Sequence, residues 1–238
     1  MKKDLSFLKQ NVIAHRGLHN LEIPENSIKA FEKAIDKNYI IELDVHLLKD
    51  GNIVVFHDDN LKRMAEINKN LKDCTYNELK DIKILNTQYT IPKLESVLKI
   101  IDGRVPIIIE LKYDRMVGKL EKEIVKILDN YKGRFCIKSF SPLSIIWFRI
   151  NRPNYVRGLL ISSRNRTLKE RIVKSNLMLT LSKPDFISCN YKLFNSKLIN
   201  KYKKKIPIIA WTIKNKLNYL KYKDCFYNLI CENIDSFE

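Results

Sequence analysis

Residues 106–112 read Pro-Ile-Ile-Ile-Glu-Leu-Lys, a short apolar run that ends in charged side chains. Such an unbroken apolar run is typical of a strand that is buried on both faces of a parallel sheet. Apolar residues with helical spacing surround it, over Leu94–Ile101 before the run and over Gly118–Tyr131 after it. A strand between two helices indicates a βαβ unit, so this stretch predicts an α/β protein with a parallel sheet.

The alternation of strand-like and helix-like segments extends along the rest of the chain. About eight strands result when Ile53–Phe56 is counted as an extension of the second strand, which fits a TIM-like (β/α)8 barrel. A doubly wound open sheet is the alternative, but no Gly-x-Gly-x-x-Gly motif follows the first strand. No linker or repeat is visible, so we predict one domain over residues 1–238. The remaining predicted strands are 12–14, 40–47, 135–138, 156–161, 186–189, 206–212 and 228–231, and the remaining helices are 25–36, 142–150, 167–176, 196–202 and 216–222.

Acidic residues stand near the carboxyl ends of two predicted strands. Glu42 and Asp44 are two residues apart and point to the same side of their strand, and Glu110 follows Ile107–Ile109. In a barrel, side chains at the carboxyl ends of the strands converge on one mouth. Because oxygen ligands favour hard cations, the pattern predicts one divalent cation, Mg²⁺ or Ca²⁺, between these three carboxylates.

Two of the four histidines also end predicted strands. His15 ends the first strand, and His57 ends Ile53–Phe56. One histidine can deprotonate an attacking group while the other protonates a leaving alkoxide. Arg16 and Lys112 can neutralise the charge of a phosphate. Together with the carboxylates, these residues predict metal-assisted hydrolysis of a phosphodiester. We assign no role to the other two histidines: we expect His19 to be a loop residue and His46 a polar strand-end residue.

The chain is strongly basic, with a formal net charge of +17. The charge is spread along the sequence, which favours a solvated basic surface over a nucleic-acid site, and we expect no nucleic-acid partner. The densest stretch, residues 149–183, contains nine Lys and Arg residues and a single acidic residue, Glu170. Such a stretch could attract an anionic substrate or contact an anionic lipid surface. Arg164 and Arg166 follow a predicted strand, so we expect them at the catalytic mouth.

Cysteine usage and the absence of long apolar runs bear on the location of the protein. The five cysteines form no Cys-x-x-Cys pair, which suits free thiols in a reducing compartment. No apolar run approaches the roughly 20 residues that cross a bilayer, and the start of the sequence does not resemble a signal peptide. We therefore expect a cytoplasmic protein. The sequence leaves its oligomeric state open.

Nine short motifs, in this order, resemble those of the glycerophosphodiester phosphodiesterase family. Any one of them is weak, but their shared order from residue 12 to about residue 231 is specific. They are His15-Arg16-Gly17, Pro24-Glu25-Asn26-Ser27, Glu42-Leu43-Asp44-Val45, Lys49-Asp50-Gly51, His57-Asp58, Ile91-Pro92-Lys93-Leu94, Ile109-Glu110-Leu111-Lys112, Ser139-Phe140 and Ala210-Trp211-Thr212.

The resemblance implies a TIM-like barrel that hydrolyses glycerophosphodiesters to an alcohol and sn-glycerol 3-phosphate. It implies His15 and His57 as acid and base, and Arg16 and Lys112 on the phosphate. Trp211 resembles the aromatic wall of the family's substrate pocket. The family also has a small inserted segment, which here corresponds to about residues 58–90 and shows no clear chemical residue of its own. Its metal ligands, for Mg²⁺ or Ca²⁺, correspond to Glu42, Asp44 and Glu110.

Two departures from the family pattern and two other functions stay open. Leu48 replaces a usual Thr, and residues 228–233 replace a Gly-Ile-Ile-Thr-Asp-like ending, which leaves the last βα loop uncertain. Related barrels accept lipids, so a lysophospholipid-type phosphodiesterase that acts at lipid surfaces is one alternative. A basic anion-binding or nucleic-acid-binding module with a decayed site is another. The intact histidines and carboxylates argue against decay.

Overall fold

A computed structural model of the protein describes residues 3–112, 116–163 and 176–237. These residues form nine strands and nine α-helices, numbered here in chain order. The strands are β1 (Ile13–His15), β2 (Ile40–Leu47), β3 (Ile53–Val55), β4 (Ile107–Leu111), β5 (Phe135–Ser139), β6 (Val156–Ile161), β7 (Phe186–Asn190), β8 (Ile208–Ile213) and β9 (Asn228–Cys231). The helices are α1 (Ile28–Asp36), α2 (Lys62–Ala65), α3 (Tyr76–Leu79), α4 (Leu94–Ile101), α5 (Lys119–Leu128), α6 (Pro142–Asn151), α7 (Asn176–Ser182), α8 (Lys197–Tyr202) and α9 (Lys216–Tyr222).

Eight parallel strands close into a barrel, which confirms the predicted TIM-like fold. The strands follow the order β1-β2-β4-β5-β6-β7-β8-β9, and β9 pairs again with β1. Pairing Asp44 with Glu110, and Glu110 with Lys138, fixes the register of β2, β4 and β5. Because every barrel strand runs the same way, all their carboxyl ends meet at one mouth.

The prediction that Ile53–Phe56 extends the second strand is wrong. Gly51, with a φ of 85°, allows a tight turn after β2, and the chain reverses there. β3 therefore pairs antiparallel with β2, with Val45 opposite Val55, and lies outside the closed ring. The count of eight barrel strands holds because β3 is not one of them.

Side chains alternate between the inside of the barrel and the layer of helices. Apolar residues on one set of alternate positions pack against the helices, among them Ile41, Leu43 and Ile109. The other set points inward, where Ile40 and Ile108 belong to a smaller apolar cluster that includes Phe7 and Leu8 of the N-terminal segment. The inward positions nearer the mouth are polar, so the fold separates an apolar barrel interior from a charged end.

The segment at residues 58–90 folds as a small unit beside the β2–β3 hairpin. Its helices α2 and α3 surround an apolar cluster with Met64 and Leu79, which also contains Leu48 and Phe56 of the hairpin. Leu48, the departure from the family pattern, is buried in this cluster. The assignment of the whole chain to one domain stays a prediction.

Most helix boundaries agree with the sequence within a turn. Ser27 caps α1 by accepting a hydrogen bond from the Ala30 backbone nitrogen, so the helix begins after the predicted start at residue 25. The predicted helix over residues 167–176 lies almost entirely outside the described residues, and α7 follows it. All five cysteines are free. In the part of the chain that the structure describes, no helix is long and apolar enough to cross a membrane.

Candidate active site

Three buried carboxylates meet inside the mouth of the barrel, as the sequence predicts. Glu42 and Asp44 come from β2 and Glu110 from β4, and one oxygen of each lies within 4.8 Å of the others. All three side chains are buried. Burial of three carboxylates is costly unless cations compensate their charge, so the residues around them decide what the cluster can do.

Both predicted phosphate-binding residues, Arg16 and Lys112, contact this cluster directly. Lys112 Nζ lies 2.8 Å from Asp44 Oδ1 and 2.6 Å from Glu110 Oε1. Arg16 Nε lies 3.3 Å from Asp44 Oδ2, and the Arg16 backbone nitrogen donates to Glu42 Oε2 over 3.1 Å. Burial alone would raise the pKa of Asp44, but Lys112 and Arg16 hold it well below its usual range. The pKa of Glu110 is lowered in the same way, by Lys112 and a second lysine, against its burial.

That second lysine is Lys138 on β5, which the sequence analysis did not single out. Its Nζ lies 2.8 Å from Glu42 Oε1 and 3.3 Å from Glu110 Oε2, and the side chain is 2% exposed. Burial lowers the pKa of a lysine, but the two carboxylates more than compensate and raise it. Lys138 is therefore charged.

The cluster has the ligands that a divalent cation needs. Glu42 Oε1 and Asp44 Oδ1 are buried, and each has one ammonium nitrogen 2.8 Å away, from Lys138 and Lys112 respectively. A carboxylate oxygen has two lone pairs, so one lysine leaves each oxygen able to bind a cation as well. Such buried oxygens, close to a third carboxylate, fit the oxygen coordination of Mg²⁺ or Ca²⁺.

His15 is held by a carboxylate that directly follows the last strand. Its Nδ1 donates to Glu232 Oε1 over 2.6 Å, and Lys214 Nζ lies 2.7 Å from the other oxygen of Glu232. Burial raises the pKa of Glu232, but the hydrogen bond and the charges of His15 and Lys214 lower it to about 2. An ionised carboxylate only accepts, so the hydrogen bond assigns a proton to Nδ1. Nε2, which lies 3.9 Å from Glu42 Oε2, then faces the cluster.

His57 has a second carboxylate in the same arrangement. Its Nδ1 donates to Asp58 Oδ1 over 2.6 Å. Burial raises the pKa of Asp58, but hydrogen bonds from Arg63 and His57 lower it to about 2. Arg63 comes from α2 in the inserted segment and also binds Glu25 through two nitrogens, at 2.7 and 3.2 Å. The inserted segment thus supplies a charged residue to the site, contrary to the expectation that it has none.

The turn after β1 brings these parts together. Arg16 and Gly17 both have positive φ, 58° and 79°, which turns the Arg16 backbone nitrogen towards Glu42. A Cβ on Gly17 would lie 2.9 Å from the backbone of Ala30, so only glycine fits where α1 packs on the turn. Asn26, also at positive φ, donates to Asp44 Oδ2 over 3.0 Å. The Arg16 side chain donates to Glu25 over 2.7 Å.

The predicted wall residue Trp211 and the other two histidines lie near this site. Trp211 ends the inward row of β8 and packs edge-to-face on Phe140, with ring centroids 5.9 Å apart. His46 is buried, and its Nε2 donates to the His57 carbonyl over 3.2 Å, so it supports the backbone at His57. His19 is half-buried on the loop after β1, and burial lowers its pKa.

The basic stretch 149–183 is only partly described. Arg164 and Arg166 lie outside the described residues. Arg152 binds Asp129, and the buried Arg157 contacts Asp185 and nearby carbonyls. Both arginines lie at the amino end of β6, opposite the mouth. The described part of the stretch therefore does not form a basic surface beside the site.

Residues 15–231 match the family model described as the glycerophosphoryl diester phosphodiesterase family. The chain belongs to this family. It is therefore a phosphoric diester hydrolase, and the match covers every predicted site residue from His15 to Trp211.

Individual relatives agree with this assignment. YhdW of Bacillus subtilis is 33% identical over 227 residues, which is 86% of each chain. Lysophospholipase D of Rattus norvegicus is 28% identical over 221 residues, 80% of this chain and 69% of its own. A phosphodiesterase of Oleispira antarctica, solved with the product sn-glycerol-3-phosphate, superposes with a TM-score of 0.81 at 22% identity. That superposition covers 94% of this chain and 93% of the other, and it shows the shared barrel fold.

Proposed function

We propose that this protein hydrolyses glycerophosphodiesters to an alcohol and sn-glycerol 3-phosphate, with a divalent cation and two histidines. The observation that carries the proposal is the pair of carboxylate-backed histidines beside a buried three-carboxylate cluster. Family membership supports the substrate class, and the product bound to the Oleispira phosphodiesterase agrees with it.

Glu42, Asp44 and Glu110 would hold the cation. When bound, it would act as a Lewis acid that polarises the phosphoryl group. Arg16 and Lys112 reach the mouth side of the same cluster, where their charges would neutralise the phosphate oxygens. Trp211 would form the wall against which the glycerol carbons pack.

The two histidines would divide the proton transfers. The base takes a proton from the glycerol hydroxyl next to the ester oxygen. The hydroxyl oxygen then forms a bond to phosphorus, while the bond between phosphorus and the oxygen of the departing alcohol breaks. The acid gives its proton to the departing oxygen, which leaves a cyclic phosphate. The histidines then exchange roles: the new base deprotonates water, water adds to phosphorus, and the new acid protonates the ring oxygen that leaves. Glu232 stays ionised and stabilises the imidazolium of His15, and Asp58 does the same for His57. Either histidine can therefore carry the extra proton during the reaction.

A coupled assay for sn-glycerol 3-phosphate tests this function. We expect release from at least one of glycerophosphocholine, glycerophosphoethanolamine and glycerophosphoglycerol, with Mg²⁺ or Ca²⁺ present. Glu42→Gln, Asp44→Asn and Glu110→Gln should each abolish most activity while the protein stays folded, because two carboxylates hold a divalent ion poorly. Full activity of the wild type in excess EDTA would overturn the metal site.

One observation favours a second candidate, a lysophospholipid substrate taken from an anionic lipid surface. Large apolar side chains are exposed at the mouth: Met116 is 58% exposed after β4, and Leu143 is 54% exposed at the start of α6. Phe140, which contacts Trp211, is 39% exposed. Apolar side chains around a basic protein's active site suit an anionic membrane surface. The rat relative that is named a lysophospholipase D agrees with this candidate.

Vesicle sedimentation separates the two candidates. If the mouth binds lipid, Leu143→Glu should lower binding to anionic vesicles and activity on lysophospholipids, and leave activity on glycerophosphocholine nearly unchanged. Ile150→Glu is the matched control, since Ile150 is also exposed on α6 but at the end away from the mouth. Equal behaviour of the two variants would remove the lipid candidate. A cytoplasmic location also stays a proposal, which cell fractionation tests.

A further inference from the structure

Lys138 has no part in the mechanism above, yet it is one of the most deeply buried charged residues of the chain. It stands two residues after Cys136 on β5, so it points into the barrel like the carboxylates. Its neighbours in register are Glu110 on β4 and Gly158 on β6. With 2% exposure it is closed off from the mouth, whereas Lys112 is 15% exposed. Lys138 therefore does not reach a substrate.

Lys138 and Lys112 contact different pairs of carboxylates in the cluster. Lys112 contacts Asp44 and Glu110 from the mouth side. Lys138 contacts Glu42 and Glu110 from the closed side, and is the only described lysine within ion-pair distance of Glu42. Arg16 adds a third positive charge, which it shares with Glu25. The three cations thus compensate most of the negative charge of the cluster before a metal ion binds.

We infer that Lys138 is a resident counter-ion of the carboxylate cluster, which keeps the metal-free site folded and lowers its affinity for a divalent cation. The inference rests on the metal site of the proposed function. An ammonium group and a divalent cation compete for the same carboxylate charge. Lys138 is thus a positioning residue: it holds Glu42 and Glu110 close together when no metal ion does.

The same charge has a consequence for the reaction. Lys138 adds one positive charge near the bound phosphodiester, which carries one negative charge and gains another as the nucleophile adds. That positive charge therefore stabilises the transition state more than the bound substrate. Its removal should lower kcat more than it changes KM.

The test compares Lys138→Met with the wild type, both stripped of metal by a chelator. Mg²⁺ binding is measured by calorimetry, and thermal unfolding is measured with and without Mg²⁺. A unit charge a few ångströms away in a partly buried site changes a binding constant by roughly tenfold or more. We expect Lys138→Met to bind Mg²⁺ about tenfold more tightly. Without metal its Tm should fall, and the gain in Tm on adding Mg²⁺ should exceed that of the wild type.

Arg157→Met is the matched control, because Arg157 is a buried cation on the next strand whose partner, Asp185, lies at the other end of the barrel. It should lower the Tm and leave the Mg²⁺ affinity unchanged. If Lys138→Met does not fold without metal, Lys138→Gln, which keeps a hydrogen-bonding group, replaces it. Failure of both variants to fold even in excess Mg²⁺ would overturn the inference, since the metal ion should replace the lost charge.

The possible failures are distinguishable. Unchanged or weaker Mg²⁺ binding by a folded Lys138→Met overturns the role of Lys138 alone. A wild type that binds neither Mg²⁺ nor Ca²⁺ overturns the metal site of the proposed function, and this inference with it.

Discussion

Replacing Glu232 by Gln tests whether the carboxylate behind His15 matters through its charge. Gln is close in shape to Glu and keeps an oxygen that can accept from His15 Nδ1. It loses the negative charge that faces both His15 and Lys214. The substitution therefore separates charge from shape at one half-buried position.

The structure sets the size of the effect on stability. The pKa of Glu232 is about 2 instead of 4.5, although burial raises it, because His15 and Lys214 favour the ionised form. One pKa unit corresponds to about 1.4 kcal/mol, so a shift from 4.5 to about 2 stabilises the folded state by roughly 3.5 kcal/mol at most. Lys214 is 62% exposed, so solvent screens its share. We expect Glu232→Gln to lower the free energy of unfolding by about 2 kcal/mol at pH 7.

The sign of the pH dependence follows from the lowered pKa. The stabilisation is complete above the unfolded pKa near 4.5 and is lost as the pH falls towards about 2, where the folded carboxylate takes up its proton. Urea unfolding of wild type and Glu232→Gln should therefore differ most near neutral pH. The difference should shrink steadily below pH 4.5.

The activity of the same variant tests the catalytic assignment. Without the carboxylate, imidazolium at His15 is less stable and the tautomer is less fixed, so we expect kcat to fall at least about tenfold. Asp185→Asn removes a carboxylate charge at the far end of the barrel and serves as the control, with altered stability but normal kcat. Wild-type kcat in Glu232→Gln, with no loss of stability, would refute this reasoning.

Three further predictions follow from the site. His15→Ala and His57→Ala should each lower kcat by at least about 10²-fold, and a diester with a p-nitrophenol leaving group should rescue only the variant that lacks the acid; equal failure of both on that substrate would overturn the assignment. Arg63→Ala should lower kcat/KM roughly tenfold because Asp58 and Glu25 lose a shared partner, whereas Lys62→Ala on the same helix should not, and identical kinetics of the two would remove Arg63 from the site. Glu110→Gln should abolish the Tm increase that Mg²⁺ gives the wild type, and an unchanged increase would place the metal ion elsewhere.

Local sequence rules predicted most of the barrel because its strands are apolar on both faces and its helices carry apolar stripes. The alternation of side chains placed Glu42 and Asp44 on one inward face, and the closed barrel brings Glu110 to them. The same alternation from Cys136 also points Lys138 inward, so that residue was within reach of the sequence. Its pairing with Glu42 needed the strand register.

Other parts of the site depend on long-range packing that periodicity does not reveal. Glu232 meets His15 only because β9 closes the ring against β1. Arg63 reaches Asp58 and Glu25 only because the inserted segment packs against the β2–β3 hairpin, which places α2 beside these two carboxylates. The prediction that Ile53–Phe56 continues the second strand was wrong because a strand-like run alone does not show in which direction the strand pairs.

The most direct test of the central claim is product analysis by chelator-treated protein, before and after Mg²⁺ or Ca²⁺ is added, on glycerophosphocholine, glycerophosphoethanolamine and glycerophosphoglycerol. We predict that the chelated wild type is inactive, that one of the two ions restores release of the free alcohol and sn-glycerol 3-phosphate from at least one of these substrates, and that Glu110→Gln is not restored. Full turnover in EDTA, or release of a phosphorylated alcohol and glycerol in place of these products, would contradict the account.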